Sequence, residues 1–144
     1  MGDNKLKKIG EIKVSEVMIS EPFFTFPDEK ISKTELYMLK KKIGGLPVVN
    51  DSKLRQVIGI ITQRDIRLAR FALSLESPYT IVRDLMTANP YCIKKANTVK
   101  EALEKMFKYS IERLPVVDDN KKLVGLLLQK QILRVLYDFL IVND

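Results

Sequence analysis

Apolar positions fall into short β-branched runs and longer helical stripes, in an order that occurs twice along the chain. Val57-Ile58-Gly59-Ile60-Ile61 is a buried-strand pattern. It leads through Thr62-Gln63-Arg64-Asp65 into Ile66, Leu68, Ala69 and Ala72, the apolar spacing of a helix. Upstream, Phe23-Phe24-Thr25-Phe26 predicts a short strand. Ile31, Leu36, Leu39 and Ile43 predict a helix, with Asp28 after Pro27 as its start signal. Leu46-Pro47-Val48-Val49 predicts a second strand, closed by the polar turn Asn50-Asp51-Ser52-Lys53.

The same succession returns. Tyr91-Cys92-Ile93 predicts a strand. Val99, Ala102, Leu103, Met106 and Phe107 form a helical stripe, with Asn97 as the expected N-cap. Leu114-Pro115-Val116-Val117 and the turn Asp118–Lys122 follow, then a strand through Gly125. A closing helix with Ile132, Leu133, Val135, Leu136, Phe139 and Leu140 is apolar on most of its circumference, which points to burial on two sides and an oligomer contact.

The repeat is visible in single residues. Val14-Ser15-Glu16-Val17-Met18 through Pro22 recurs as Val82-Arg83-Asp84-Leu85-Met86 through Pro90, 68 residues later. Leu46-Pro47-Val48-Val49 recurs at the same offset, but Gly59 recurs as Gly125, an offset of 66, so the second copy is two residues shorter between its strands. Self-similarity of this kind marks two copies of one unit, neither able to bury its apolar face alone. The expected organisation is a basic arm at 1–13, a first repeat at 14–75, a linker at 76–81, a second repeat at 82–140 and a tail at 141–144. Each repeat is read as β-α-β-β-α, giving an α/β (α+β) fold.

Composition narrows the function. The chain has 144 residues, 46% hydrophobic and 30% charged, the profile of a globular domain with a core. It has no run long enough to span a membrane, no signal-peptide pattern, and Leu6 where a myristoylation signal needs Ser or Thr. A cytoplasmic location is the expectation. With no histidine and only Cys92, the chain cannot build a His- or Cys-based metal centre, a catalytic triad or an internal disulfide. Nor does it have a paired-carboxylate signature, so it is read as a non-enzyme. Acidic Asp118-Asp119 is read as turn chemistry rather than a metal site. The net charge of +7 leans to the first half: residues 1–72 hold 14 basic and 9 acidic side chains, residues 73–144 hold 11 and 9. Without basic–aromatic interleaving, this is read as a solvated face rather than a nucleic-acid site.

Thr62 and Asp65 carry the candidate chemistry, and two readings of them stand open. Thr-x-x-Asp is a capping box, in which each side chain satisfies a backbone donor. It also stands at a strand-to-helix turn. There the free N–H groups and the helix dipole suit a phosphate, and a carboxylate can accept from the two hydroxyls of a ribose.

Taken in order, V-x-x-[LV]-M-x-x-x-P, L-P-V-V and G-h-h-T-x-x-D resemble the motifs of a cystathionine-β-synthase-type (CBS) domain pair, over about residues 14–140. The resemblance implies a regulatory module that binds an adenosine-containing ligand in the cleft between the repeats, without turnover. The ligand would be AMP, ADP, ATP or an S-adenosylmethionine-like compound. It also implies homodimerisation. Carried over residue by residue, one site uses Ile60, Thr62 and Asp65 with Tyr91, Cys92, Ile111, Glu112 and Arg113. Asp65 would take ribose, Thr62 and Arg113 phosphate, and Tyr91, Cys92 and Ile111 the base. At the other site Leu128, Gln131 and Gly45 replace Thr, Asp and Arg together, so that site is expected not to bind. The alternatives are a dimerisation module with an empty cleft and a nucleic-acid binder; the downstream protein target is unknown.

Overall fold

The computed structural model describes residues 2–72 and 77–142. Two antiparallel three-stranded sheets carry the fold, and the chain divides into two compact units. These units do not coincide with the sequence repeats: one is Phe23–Pro90, and the other combines the chain up to Pro22 with the chain from Tyr91 onward.

In the unit Phe23–Pro90, α3 (Ile31–Lys41) precedes β2 (Gly45–Val49) and β3 (Val57–Thr62). Next come α4 (Gln63–Arg67), a π-helical turn at Leu68–Ala72, α5 (Val82–Leu85) and β4 (Thr87–Ala88). The sheet order is β2-β3-β4. Pro47 pairs with Ile60 inside β2, an edge strand, where a missing N–H is tolerated. The core is Ile31, Met38, Leu46, Val48, Ile61, Ile66 and Val82. Val82 comes from the opening of the second repeat, and β4 from that repeat pairs with β3 at Gly59 and Ile60.

The other unit has the reciprocal construction. It holds α1 (Gly2–Glu11), α2 (Val14–Val17), β1 (Ile19–Ser20), α6 (Val99–Tyr109), β5 (Arg113–Val117), β6 (Leu123–Leu128) and α7 (Gln129–Val142). Its sheet order is β1-β6-β5. Val14 from the first repeat joins Val99, Met106, Leu114, Val116, Leu127 and Ile132 in the core. The opening segment of each repeat thus completes the sheet and core of the other.

This pairing explains the Met and Gly of the repeat. A Cβ on Gly59 would come within 2.5 Å of Met86 Sδ and 3.1 Å of the Thr87 carbonyl; one on Gly125 would strike Met18 Sδ and approach the Ile19 carbonyl. Glycine is required where another strand's backbone comes this close. Gly59→Ala is therefore expected to cost about 1–3 kcal/mol by overpacking, read as a lowered denaturant midpoint at unchanged slope. Substitution of Met86 by Ala in the same chain should recover only part of it, because the Thr87 carbonyl stays in place.

Several expectations are corrected. The basic arm, read from the sequence without a defined element, holds the helix α1, packed against α6 with Gly10 beside Lys100. The strands expected at Phe23–Phe26 and Tyr91–Ile93 reduce to single parallel bridges, Thr25 to Val48 and Ile93 to Val116. Prolines at 22 and 27, and at 90, cannot extend those ladders. Asp28 does not start α3; Lys30 does, without a side-chain cap. Asn97 yields the N-cap of α6 to Thr98, which forms a capping box with Glu101, while Asn97 Oδ1 accepts from Lys94 N and its Nδ2 donates to Glu101. Those bonds to Glu101 hold its carboxyl below the usual range. The first closing helix turns π-helical at Leu68, and the expected end of the first repeat at residue 75 lies outside the described residues.

Candidate functional site

Thr62 ends β3 in an extended conformation, so the strand delivers it to the first turn of α4. Its Oγ1 accepts from Asp65 N at 3.1 Å, and Asp65 Oδ2 accepts from Thr62 N at 2.9 Å. The capping box is therefore formed. It engages one oxygen of Asp65, and both side chains remain partly exposed. Ile60, two residues back on the same strand, is half-buried opposite Pro47. Gln63 N donates to the Gly44 carbonyl at 2.9 Å, which ties the start of α4 to the entry of β2.

The remaining candidates lie in the other unit. Tyr91 stacks on Tyr109, with ring centroids 3.7 Å apart and planes inclined by 12°. Cys92 is partly buried and outside any disulfide. Burial pushes its thiol pKa up, against the opposing pull of Lys105 and Lys121, so it presents a neutral, apolar surface. Its carbonyl accepts from Lys105 Nζ at 2.6 Å. Ile111 packs against the core, and exposed Glu112 offers its carbonyl to Gln129 N at 3.0 Å. Arg113 opens β5, half-buried, opposite Leu128 in register. Among the described residues no ion pair or hydrogen bond engages its side chain.

Tyr91 and Cys92 lead into Ile93, which bridges Val116 of β5, and Ile111 and Glu112 lead into Arg113, the first residue of β5, all in one unit. Ile60, Thr62 and Asp65 sit at one strand end of the other. Of the replaced positions, Gly45 is buried at the start of β2, opposite Thr62. Gln131, standing where Asp65 stands, has a buried Oε1 with no hydrogen-bond partner. A glutamine there does not reproduce the box that Asp65 makes. Tyr109 and Lys105 were not anticipated. Tyr109 stands at the edge of the α6 stripe, seven residues after Ala102, and Lys105 lies off it, where periodicity carries no signal for a lysine. Among the described residues no cluster of three metal-ligating side chains exists, and no helix is long and apolar enough to cross a membrane.

The CBS domain family model matches residues 14–71 and 82–138. The chain belongs to the CBS domain family. CBS relatives in sequence include inosine-5'-monophosphate dehydrogenase of Bacillus subtilis, 34% identical over 137 residues, which span 93% of this chain and 27% of that enzyme. The corresponding dehydrogenase of Methanocaldococcus jannaschii is 37% identical over 123 residues, 85% of this chain and 23% of the enzyme. The chain thus spans about a quarter of the length of these relatives. Among solved structures, the CBS domain pair of protein MJ0100, in complex with 5'-methylthioadenosine and S-adenosyl-L-methionine, superposes with a TM-score of 0.76 at 27% identity. That match covers 86% of this chain and 98% of that one. CBSX2 in complex with AMP has the same fold, with a TM-score of 0.78 at 22% identity over 89% and 98% of the two chains. The α/β fold of two CBS repeats read from the sequence is the fold observed.

Proposed function

We propose that this chain is a regulatory module that binds one adenosine-containing ligand and does not turn it over. Asp65, through the oxygen its cap leaves unused, accepts from ribose hydroxyls; Thr62 and Arg113 take the phosphate or its equivalent. Tyr91, Cys92 and Ile111, with Ile60, offer apolar surface to the base, and Glu112 discriminates against the most highly charged ligands. The observation that carries this reading is the half-buried Arg113 guanidinium with no described partner, retained in the same chain as Thr62 and Asp65. The counterparts Gly45, Leu128 and Gln131 have lost all three functions together. A cap alone would not link these positions. The adenosine compounds bound by the CBS pair of MJ0100 support the ligand class.

A thermal-shift panel of AMP, ADP, ATP, S-adenosylmethionine and adenosine tests it. A ligand that binds only the folded state raises the midpoint, by about 2.7 kcal/mol of stability at 100 times its Kd. No shift with any member would leave the second reading, a dimerisation module.

That second reading has its own observation, and the two are compatible. Leu68 and Phe71 follow α4 at 51% and 75% exposure, and Leu133, Tyr137, Leu140 and Ile141 on α7 are all more than half exposed. Faces of this kind are unfavourable in water unless covered. We propose that they pair two copies of the chain in the cytoplasm. Light scattering at tens of micromolar is expected to give twice the chain mass, and Leu133→Glu with Tyr137→Glu to return it to the monomer. A wild-type monomer would remove this assignment.

A further inference from the structure

The two units have cores that correspond position by position: Ile31 with Val99, Met38 with Met106, Leu46 with Leu114, Val48 with Val116. The core clusters differ at two neighbouring positions. Where one unit buries Ile93 and Ala102, the unit Phe23–Pro90 buries Thr25 and Thr34, at 6% and 2% exposure. The fold does not need hydroxyls there, since its other copy does without them. Thr25 Oγ1 and Thr34 Oγ1 are 3.3 Å apart and share one hydrogen bond. One hydroxyl proton is spent in it; the other has no described acceptor.

These threonines form the floor of a cavity of about 380 Å³, lined entirely by residues 24–40. Its size falls within the range of small-molecule sites. The walls are Phe24, Phe26, Tyr37 and Leu36. Two edge-to-face contacts hold the rings before any ligand arrives: Phe24 on Phe26 at 5.7 Å, and Phe23 on Tyr37 at 5.6 Å. Three charges stand on the rim. Lys33 pairs with Glu29 at 3.5 Å, while Lys40 has no described ion pair, so the rim carries one uncompensated positive charge. The other unit has no such aromatic set: Lys105 stands for Tyr37 and donates to the Cys92 carbonyl, and Lys94 stands for Phe26 and pairs with Asp119.

We propose that this cavity is a second ligand site, separate from the adenosine site, for a small planar aromatic monoanion. The rings would lie against Phe24, Phe26 and Tyr37, and the carboxylate would face Lys40. A polar atom of the ligand would accept the spare hydroxyl proton of the threonine pair.

The test titrates the full chain with 2-naphthoate and its neutral analogue 2-naphthylmethanol, reading aromatic side-chain NMR shifts. Naphthoate is expected to bind more tightly than the alcohol and to move the Phe24, Phe26 and Tyr37 ring signals. Lys40→Gln should weaken naphthoate about twofold to fivefold, the range for an exposed charge pair. Leu36→Glu, at a half-exposed position where folding is not at stake, should weaken it at least about tenfold by placing a like charge on the wall. Asp65→Asn should leave naphthoate unchanged, and Leu36→Glu should leave AMP unchanged, so this site and the adenosine site fail independently. Equal affinity for acid and alcohol, an unaffected Leu36→Glu variant, or shifts confined to other rings would overturn the proposal.

Discussion

Arg113→Ala is expected to weaken AMP by about 10- to 150-fold while adenosine loses little. The guanidinium stands at the first residue of β5, half-buried, and no described hydrogen bond depends on it. Its removal therefore leaves the strand register with Leu128 intact, and stability should move by no more than about 0.5 kcal/mol, as for surface changes away from packed features. A guanidinium–phosphate contact is a charge-assisted hydrogen bond worth about 1.5–3 kcal/mol, and about 1.4 kcal/mol corresponds to tenfold in affinity. Titration calorimetry on both ligands separates the outcomes. Equal losses for AMP and adenosine would take Arg113 out of the phosphate role.

Asp65→Asn is expected to reduce adenosine affinity by a similar factor, and here the structure sharpens the test. Asp65 Oδ2 already accepts from Thr62 N. Asparagine keeps one acceptor oxygen for that bond, so the box survives in part. The lost negative charge in the first turn should cost about 0.5–1 kcal/mol of stability. What asparagine cannot keep is the second acceptor. Ribose binding should fall by about 1.5–3 kcal/mol. The fall should be smaller for 2′-deoxyadenosine, which has already lost one of the two hydroxyls. A cycle of two proteins and two ligands isolates that coupling. A coupling of zero, with stability alone changed, would leave Asp65 as a cap and nothing more.

The parts of the fold legible in the sequence were those with local physics. Leu-Pro-Val-Val gave β2 and β5 because a β-branched run with a proline suits an edge strand. Thr62 and Asp65 announced a capping box three residues apart. The exchange of opening segments was illegible for a physical reason. A repeat has the same pattern whether β1 pairs with its own copy or with the other; the folded chain distinguishes them by the pairing of β1 with β6 and of β4 with β3. Asn97 and Thr98 are adjacent, and both are good caps; the choice fell to Thr98 because Glu101 lies three residues on. Leu39 and Phe107 read as core by periodicity yet stand 62% and 72% exposed. A helical stripe does not say whether its flank meets the core or a second molecule. The candidate site was legible as types and offsets. The Tyr91–Tyr109 stack and the threonine-floored cavity, made by residues outside the repeated motifs, were not.

The central claim is one adenosine ligand per chain, held where Thr62, Asp65 and Arg113 survive together. Calorimetric titration of the full chain with AMP and with S-adenosylmethionine measures it most directly. The account predicts saturation by at least one of them at one ligand per chain, lost in Asp65→Asn. Two equivalent sites per chain, or no heat and no shift with either ligand, would contradict it.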